Sequence, residues 1–142
     1  MNSTKIFVDS DVVISSLISE KGAAYFLLNE QKSNFVISDF SKTELVKVSK
    51  RLGIKQSGLQ NLIRKHLKVI KVKKEISKVK EEFEAYTTDI DDTHIVAGAV
   101  RIKAKFLLTY NIRHFQRQKI SEDFGIVVLT PAQYLQYLRS LE

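Results

Sequence analysis

The sequence has 142 residues, a net charge of +7 and no cysteine. This length suits one substantial core, so we expect residues 1–142 to form a single domain. The absence of cysteine excludes a disulfide framework and thiolate metal sites, and it is compatible with a reducing compartment. No apolar run approaches the ~20 residues that span a bilayer, and no targeting signal is apparent. We therefore expect a cytoplasmic protein without membrane contact.

Positive charge is concentrated in one part of the chain. Between Lys42 and Lys80 there are 13 Lys or Arg residues and only two acids, Glu44 and Glu75. Such a basic flank is typical of a surface that binds a polyanion, such as a nucleic-acid backbone. A solvated helical surface without a partner would show the same pattern, so charge alone does not decide between the two interpretations.

Short apolar segments alternate with amphipathic segments along the chain. The apolar segments have the length and composition of buried strands, and the amphipathic segments have helical spacing. We predict strands at residues 5–8, 35–37, 69–72, 106–109 and 125–129. We predict helices at residues 12–18, from Gly22 to near Asn34, from 38–44 to Gly53, at 59–67, at 76–86, at 89–103 and from Thr130 onwards. Residues 110–115 are predicted to form a polar loop.

This alternation predicts an α/β fold with a mainly parallel five-stranded sheet and helices on both faces. In such sheets, ligands bind beyond the carboxyl ends of the strands. Asp9 and Asp11 follow the first strand directly, and Thr109 ends the fourth. Glu44 and Asp92 lie near the starts of two predicted helices. We therefore expect four distant stretches of the chain to meet at one edge of the sheet.

The chemistry predicted for this edge is that of carboxylates. Hard oxygen ligands without cysteine suit Mg²⁺ or Mn²⁺. One or two such ions would activate water and neutralise charge during phosphodiester hydrolysis. We expect the primary ligands to be Asp9, Glu44 and Asp92. We expect the outer shell that orients these ligands to contain Asp11, Asp89, Asp91, Ser10 and Thr109.

Some of these acids also allow a purely structural interpretation. Asp89 could cap the helix at residues 89–103, with Asp91 and Asp92 in its first turn, where the helix dipole favours anions. Ser41 and Glu44 have the spacing of a capping box, in which Glu44 would bond back to the Ser41 amide.

Asp9 and Asp11 could likewise cap the first helix. Three unrelated caps at the same sheet edge would require more coincidence than one shared site, and we therefore favour the metal site. The remaining notable side chains are expected to be structural, the histidines as packed residues and the aromatic residues as core. They are His66, His94, Tyr25, Phe26, Phe83 and Tyr86.

Taken in order, the motifs resemble those of PIN domains. Residues 6–17 resemble the opening of that family, 38–48 its second acidic helix, 89–99 its third acidic motif and 106–115 its fourth. The closing segment, residues 126–135, matches the subgroup of toxin components of toxin–antitoxin pairs. The resemblance covers nearly the whole chain and implies a PIN-like three-layer fold.

The resemblance also implies an activity and partners. The expected activity is that of a Mg²⁺- or Mn²⁺-dependent endoribonuclease of the VapC-like type. The expected partners are RNA, a cognate antitoxin and a second copy of the chain in a homodimer. By motif position, Asp9, Glu44 and Asp92 match the three main acids. The RNA contacts are expected from Arg64, Lys65, Lys68, Arg113 and His114.

The chain departs from the family pattern in the fourth motif. Many relatives carry an aspartate at the position of Asn111, or another at that of His114. Asn111 can ligate a metal through its carbonyl, but it adds no charge and cannot act as a base. We therefore include Asn111 among the expected metal ligands, and we expect a second metal to bind more weakly than in those relatives.

Two other functions fit parts of the sequence. Asp9 and Asp11 also fit the nucleophile and general acid of haloacid-dehalogenase-like phosphatases, although the later elements of that family do not follow in order. The other function is that of a degenerate PIN domain, which would bind RNA or a protein through its basic flank without cleaving. Asn111 and His114 favour this second alternative.

Overall fold

The computed structural model describes residues 4–142, so the first three residues of the predicted domain lie outside the described part. The strands are β1 (Lys5–Val8), β2 (Asn34–Ser38), β3 (Lys68–Ile70), β4 (Phe106–Leu108) and β5 (Val127–Leu129). They form one parallel sheet in the order β3-β2-β1-β4-β5. This arrangement confirms the predicted parallel five-stranded sheet. Whether all of residues 1–142 form one domain stays a prediction.

Eight α-helices connect and cover these strands within the described residues. The helices are α1 (Ser10–Ile18), α2 (Ala23–Glu30), α3 (Asp39–Arg51), α4 (Gln56–His66), α5 (Ile76–Phe83), α6 (Thr93–Arg101), α7 (Arg117–Phe124) and α8 (Pro131–Ser140). Short 3₁₀ turns lie at Glu84–Tyr86, Ile90–Asp92 and Ile112–His114. Between residues 4 and 142, no helix is long and apolar enough to cross a membrane.

Strand β1 lies at the centre of the sheet and divides the core into two layers. Ile6 and Val8 point to one face, where they join a cluster formed with α1, α2, α4 and α8. Phe7 points to the other face and joins a cluster formed with α5, α6 and α7. Because successive side chains of a strand alternate between faces, a strand with helices on both sides must be apolar at every position. All three side chains are fully buried.

Phe7 makes a close contact between the sheet and helix α6 of its second helical layer. The ring of Phe7 lies over Gly98, and a Cβ atom added to Gly98 would stand 2.4 Å from Phe7 Cζ. No side chain larger than that of glycine fits at this separation. Gly98 therefore allows α6 to lie close to β1, and α6 begins directly after the acidic segment at residues 89–92.

The largest omission of the predicted elements is helix α7. Only one of its residues, Ile120, is buried, so the apolar pattern is too sparse to indicate a helix. Gly125 was the available signal, since it adopts a left-handed conformation (φ 66°) and its amide bonds to the carbonyl of Ser121 as a C-terminal cap.

Several predicted boundaries were also wrong. Helix α1 begins at Ser10 rather than at residue 12, and α2 ends at Glu30 rather than near Asn34, because the last apolar residues it buries are Leu27 and Leu28. The helix predicted at residues 76–86 ends at Phe83, and Tyr86 lies in a 3₁₀ turn. The third strand covers Lys68–Ile70 instead of residues 69–72, and the fifth covers Val127–Leu129 instead of residues 125–129.

The close approach at Gly98 makes a stability prediction. We expect Gly98→Ala to lower the free energy of unfolding by about 1–3 kcal/mol, because the added methyl group overpacks a buried contact. Gly58→Ala in α4 is the matched control. No atom lies within 4 Å of its added Cβ, so helix propensity predicts a gain of up to about 1 kcal/mol. Urea unfolding of both variants measures the difference, and equal midpoints would contradict the contact.

Candidate metal site at the carboxyl edge of the sheet

The site begins where the two central strands end. Asp9 follows β1 and Thr109 follows β4, and these strands are parallel neighbours with Val8 beside Leu108. The Thr109 hydroxyl donates a hydrogen bond to Asp9 Oδ2 at 2.9 Å, and the Ser10 amide donates to Asp9 Oδ1 at 2.7 Å. Asp9 is therefore the N-cap of α1, as one of the alternatives predicted, but its second oxygen faces the end of the neighbouring strand.

Asp11, in the first turn of α1, ties this helix to the loop after β4. Its Oδ2 accepts a hydrogen bond from the Tyr110 amide at 3.0 Å. Its other oxygen, Oδ1, is buried and has no hydrogen-bond partner among the described residues. An unpartnered buried carboxylate oxygen is costly, and a cation beside it would remove the cost.

Glu44 projects from the second turn of α3. The proposed capping box was wrong, because Ser38 is the N-cap and its Oγ accepts a hydrogen bond from the Ser41 amide at 3.1 Å. This leaves the Glu44 carboxylate available for contacts outside its own helix. Its Oε2 lies 3.8 Å from Nε2 of His94 on α6, and the two side chains attract each other when His94 is protonated.

Asp92 reaches the site through a 3₁₀ turn rather than through the first turn of an α-helix. Asp89 caps this turn by accepting a hydrogen bond from the Asp91 amide at 2.9 Å. Asp92 then takes the position before α6, and its side chain caps no backbone amide. Instead, Asp92 Oδ2 lies 3.2 Å from Nδ1 of His114, so the structural interpretation applies to Asp89 and not to Asp92.

These side chains meet in one cavity of about 500 Å³, which we call the acid cavity. Its polar lining consists of Asp9, Ser10, Asp11, Ser15, Ser19, Glu44, Asp92 and Asn111. The four distant stretches therefore converge as the parallel sheet predicts. Thr109 is fully buried beneath them. Neither Asp89 nor Asp91 lines this cavity, and Asp91 instead pairs with Lys80 at 3.6 Å on the exposed surface.

The protonation equilibria of the acids differ according to their surroundings. Burial, reinforced by the charge of Asp11, raises the pKa of Asp9 well above its usual range. Burial also raises the pKa of Asp11, and burial together with the charge of Asp89 raises the pKa of Asp92. The pKa of Glu44 is lowered instead, chiefly by its interaction with His94. For Asp9 and Asp11, no cationic side chain among residues 4–142 offsets the effect of burial on the pKa.

The donor set fits a hard divalent cation. Carboxylates and an amide carbonyl are the ligands that Mg²⁺ and Mn²⁺ prefer, and the unpartnered oxygen of Asp11 adds to the negative field. No group of three or more Asp, Glu or His side chains between residues 4 and 142 already stands in a metal-coordinating arrangement. The fit therefore rests on the chemistry of the donors and on the raised pKa values, which a cation would lower.

The predicted RNA-binding residues do not gather at one place. Arg64 donates a hydrogen bond to Asn61 on its own helix at 2.9 Å. Lys65 lines a separate cavity with Ser16 and Leu17 of α1, whereas the acid cavity is lined by the neighbouring positions 15 and 18. Lys68 lies on the edge strand β3 and is exposed. RNA binding by these residues stays a prediction.

Arg113 and His114 lie nearer the acids. Both belong to the 3₁₀ turn that follows Asn111, and both are exposed. The structure gives His114 an additional contact, the pairing with Asp92, that the sequence did not indicate. RNA binding by Arg113 and His114 stays a prediction.

His94 contacts one of the candidate site acids, which its sequence pattern did not predict. It was expected to be a packed histidine, and it is indeed buried, at 7% exposure. Its ring also packs near Phe40, with the centroids 6.1 Å apart. However, its Nε2 faces Glu44 and thereby lowers the pKa of that acid. The available signal was its position two residues after Asp92, at the start of the same helix.

The pKa of Asp9 generates a prediction about stability and pH. Its carboxyl group has a folded pKa above the usual 3.8, so the stability of the metal-free wild type falls as the pH rises from about 3.8 through the folded pKa. We expect Asp9→Asn in EDTA to be more stable than the wild type at neutral pH. This advantage should shrink in acid, where the wild-type carboxyl is protonated. Urea unfolding across pH measures it.

Glu44→Gln provides the opposite sign in the same experiment. The folded pKa of Glu44 lies below its usual 4.5, so its stabilising charge is present above about pH 4.5 and is lost as the pH falls through the folded pKa. We expect Glu44→Gln to be less stable than the wild type at neutral pH, and the two proteins to converge in acid. The same sign for both variants would contradict the described charge balance.

Comparison with known proteins identifies the family. A family model of the PIN domain matches residues 5–113. A toxin–antitoxin complex from Klebsiella pneumoniae is similar in structure, with a TM-score of 0.65 and 19% identity over 90% of this chain and 98% of that chain. VapBC2 from Rickettsia felis, bound to a promoter DNA fragment, gives a TM-score of 0.62 and 14% identity over 89% and 98%.

A third similar structure is VapC20 from Mycobacterium tuberculosis, a sarcin–ricin loop cleaving toxin. It gives a TM-score of 0.54 and 14% identity over 72% of this chain and 87% of that chain. No curated protein matches the sequence. At these identities the solved structures establish a common fold, which confirms the predicted three-layer α/β architecture. Because the family model spans most of its length, the chain belongs to the PIN domain family.

Proposed function

We propose that this protein is a Mg²⁺- or Mn²⁺-dependent endoribonuclease, with Asp9, Glu44 and Asp92 as its catalytic acids. The observation that carries the proposal is the convergence of these three acids, from three separate stretches of the chain, on one cavity at the carboxyl edge of the sheet. Family membership supports it, since the acids occupy the motif positions on which the resemblance to PIN domains was based. Membership of the PIN domain family also removes the basis for the haloacid-dehalogenase-like alternative.

The metal would be held by Asp9, Glu44, Asp92 and the carbonyl of Asn111. When bound, a divalent cation lowers the pKa of water and neutralises negative charge on a phosphodiester. The protein's own part is to hold the acids in place. Thr109 orients Asp9 through its hydroxyl. His94 lies beside Glu44, and His114 lies beside Asp92.

We further propose that the protein acts as the toxin of a toxin–antitoxin pair in the cytoplasm, with a cognate antitoxin and a homodimeric state. Two of the similar solved structures are toxin–antitoxin complexes or VapBC assemblies, and a third is a toxin that cleaves the sarcin–ricin loop. These likenesses support both the RNA substrate and the antitoxin partner.

A degenerate binding module remains the second candidate function, and one observation favours it. The fourth motif places Asn111 at the cavity, where it contributes an uncharged amide in place of an acid. The total negative charge of the site is therefore lower than it would be with an aspartate there. A site with fewer charged ligands binds a metal ion more weakly. Metal-dependent cleavage and metal binding separate the two functions.

Cleavage of labelled single-stranded RNA tests the proposed activity directly. We expect the purified protein to cut RNA with Mn²⁺ and to stop in EDTA. Asp92→Asn should lower the rate by at least about 100-fold, because it removes a negatively charged ligand and so weakens binding of the cation that would activate water and neutralise phosphate charge. Asp123→Asn on α7 is the control, since it removes an equal charge at a position that does not line the cavity and should leave the rate unchanged. Retained RNA binding without any cutting would favour the binding module.

Metal binding should also be visible as stabilisation. A ligand that binds only the folded state adds about 2.7 kcal/mol at 100 times its Kd. We therefore expect Mn²⁺ or Mg²⁺ to raise the melting temperature of the wild type and of Asp123→Asn. The shift should be absent in Asp9→Asn, even though that variant starts from a higher stability. No shift of the wild type with either metal would argue against the site.

A further inference from the structure

A second groove opens beside the acid cavity. It has a volume of about 710 Å³ and lies between α3, α5 and the 3₁₀ turn at Ile90–Asp92. Glu44 and Val48 line both the groove and the acid cavity, so the two spaces adjoin along α3. A chain-like ligand with one phosphate at the acids could therefore continue into the groove.

One face of α3 forms the floor of this path. Glu44, Lys47, Val48 and Arg51 are spaced by three or four residues, which places them on the same side of a helix. All four line the groove. With a rise of 1.5 Å per residue, Arg51 lies about 10 Å along the helix axis from Glu44. The face thus runs from the acids to a cation two turns away.

Three cations, Lys47, Arg51 and Lys80, and two acids, Glu44 and Asp91, line the groove, so its net charge is positive. Lys47 and Arg51 are exposed, and neither takes part in an ion pair among residues 4–142. A third cation, Lys80 of α5, faces them across the groove and pairs with the exposed Asp91 at 3.6 Å. An exposed pair of this kind is weak, so Lys80 can exchange Asp91 for a phosphate at little cost.

Apolar side chains accompany these cations. Phe40 lines the groove and is half-buried, and Ile76 at the start of α5 is 40% exposed. Val48 lines both the groove and the acid cavity. Proteins that bind single-stranded nucleic acids place cations along the path of the backbone. They also offer aromatic side chains on which the bases stack.

We propose that the groove between α3 and α5 binds the segment of single-stranded RNA next to the cleaved phosphodiester. Lys47 and Arg51 contact its phosphates, and Phe40 and Ile76 contact its bases. The proposal rests on the proposed ribonuclease function, because that function places RNA at the acids. It assigns the nearest backbone contacts to α3 instead of to Arg64 and Lys65 of α4, neither of which lines the acid cavity.

A charge-matched pair of variants tests the groove. Lys47→Gln/Arg51→Gln removes two cations from its floor. Lys42→Gln/Lys50→Gln removes two cations from the same helix at positions that line neither the groove nor the acid cavity. Both variants have the same net charge, and each loses one cation from the last turn of α3. Binding of a fluorescent single-stranded RNA is measured in EDTA, so that cleavage does not interfere, and melting curves confirm folding.

The expected result is specific to the groove. For single strands the salt dependence changes by about 0.7 per phosphate contact, so losing two contacts lowers the slope of log K against log salt by about 1.4. At roughly 0.1 M salt this corresponds to RNA binding about 25-fold weaker for Lys47→Gln/Arg51→Gln. The Lys42→Gln/Lys50→Gln variant should bind within about twofold of the wild type.

Two results would overturn the proposal. Equal weakening in both variants would show a general effect of net charge, and unchanged binding in the groove variant would leave the groove to a protein partner. Cleavage assays on the same proteins separate this proposal from the proposed function. If the wild type cleaves RNA and the groove variant binds and cleaves normally, only the groove proposal fails. If the wild type never cleaves but the groove variant selectively loses binding, the groove stands and the ribonuclease fails.

Discussion

The hydrogen bond from Thr109 to Asp9 joins the ends of the two central strands across 100 residues of sequence. It forms because β1 and β4 are parallel neighbours, so both chains leave the sheet at the same edge. The carboxylate that it holds is almost completely buried, and burial makes its negative charge costly. The charge of Asp11, which accepts a hydrogen bond from the Tyr110 amide, raises the pKa of Asp9 further.

The two histidines make the charge of the site uneven. His94 lies beside Glu44 and His114 beside Asp92, so each outer acid has a side chain that can carry positive charge. Asp9 and Asp11 in the interior have no such neighbour, and the pKa of each is raised. Burial thus makes the charged forms of these two acids costly where α1 begins. A cation bound there would offset that cost.

Helix α3 lines both the acid cavity and the groove proposed to bind RNA. The cap at Ser38 fixes where the helix begins, and this start determines which side chains share a face. Glu44 then points to the acids, and Lys47 and Arg51 point along the adjoining groove. From the sequence, these cations were part of one long basic flank. In the structure, Lys47 and Arg51 line the groove, whereas Lys65 of α4 lines a separate cavity.

The sequence by itself determined the layered α/β architecture and the order of the acids along it, because strand and helix periodicities are local properties that each segment carries alone. It also placed Asp9 and Asp92 near the carboxyl edge. Tertiary structure decided the partners of these acids. Both Ser38 and Ser41 were able to cap α3, and the choice of Ser38 freed Glu44 to meet His94, 50 positions further along the chain. The pairing of His114 with Asp92 and the groove beside α5 arise in the same way, since contacts between distant segments depend on packing that no local pattern records.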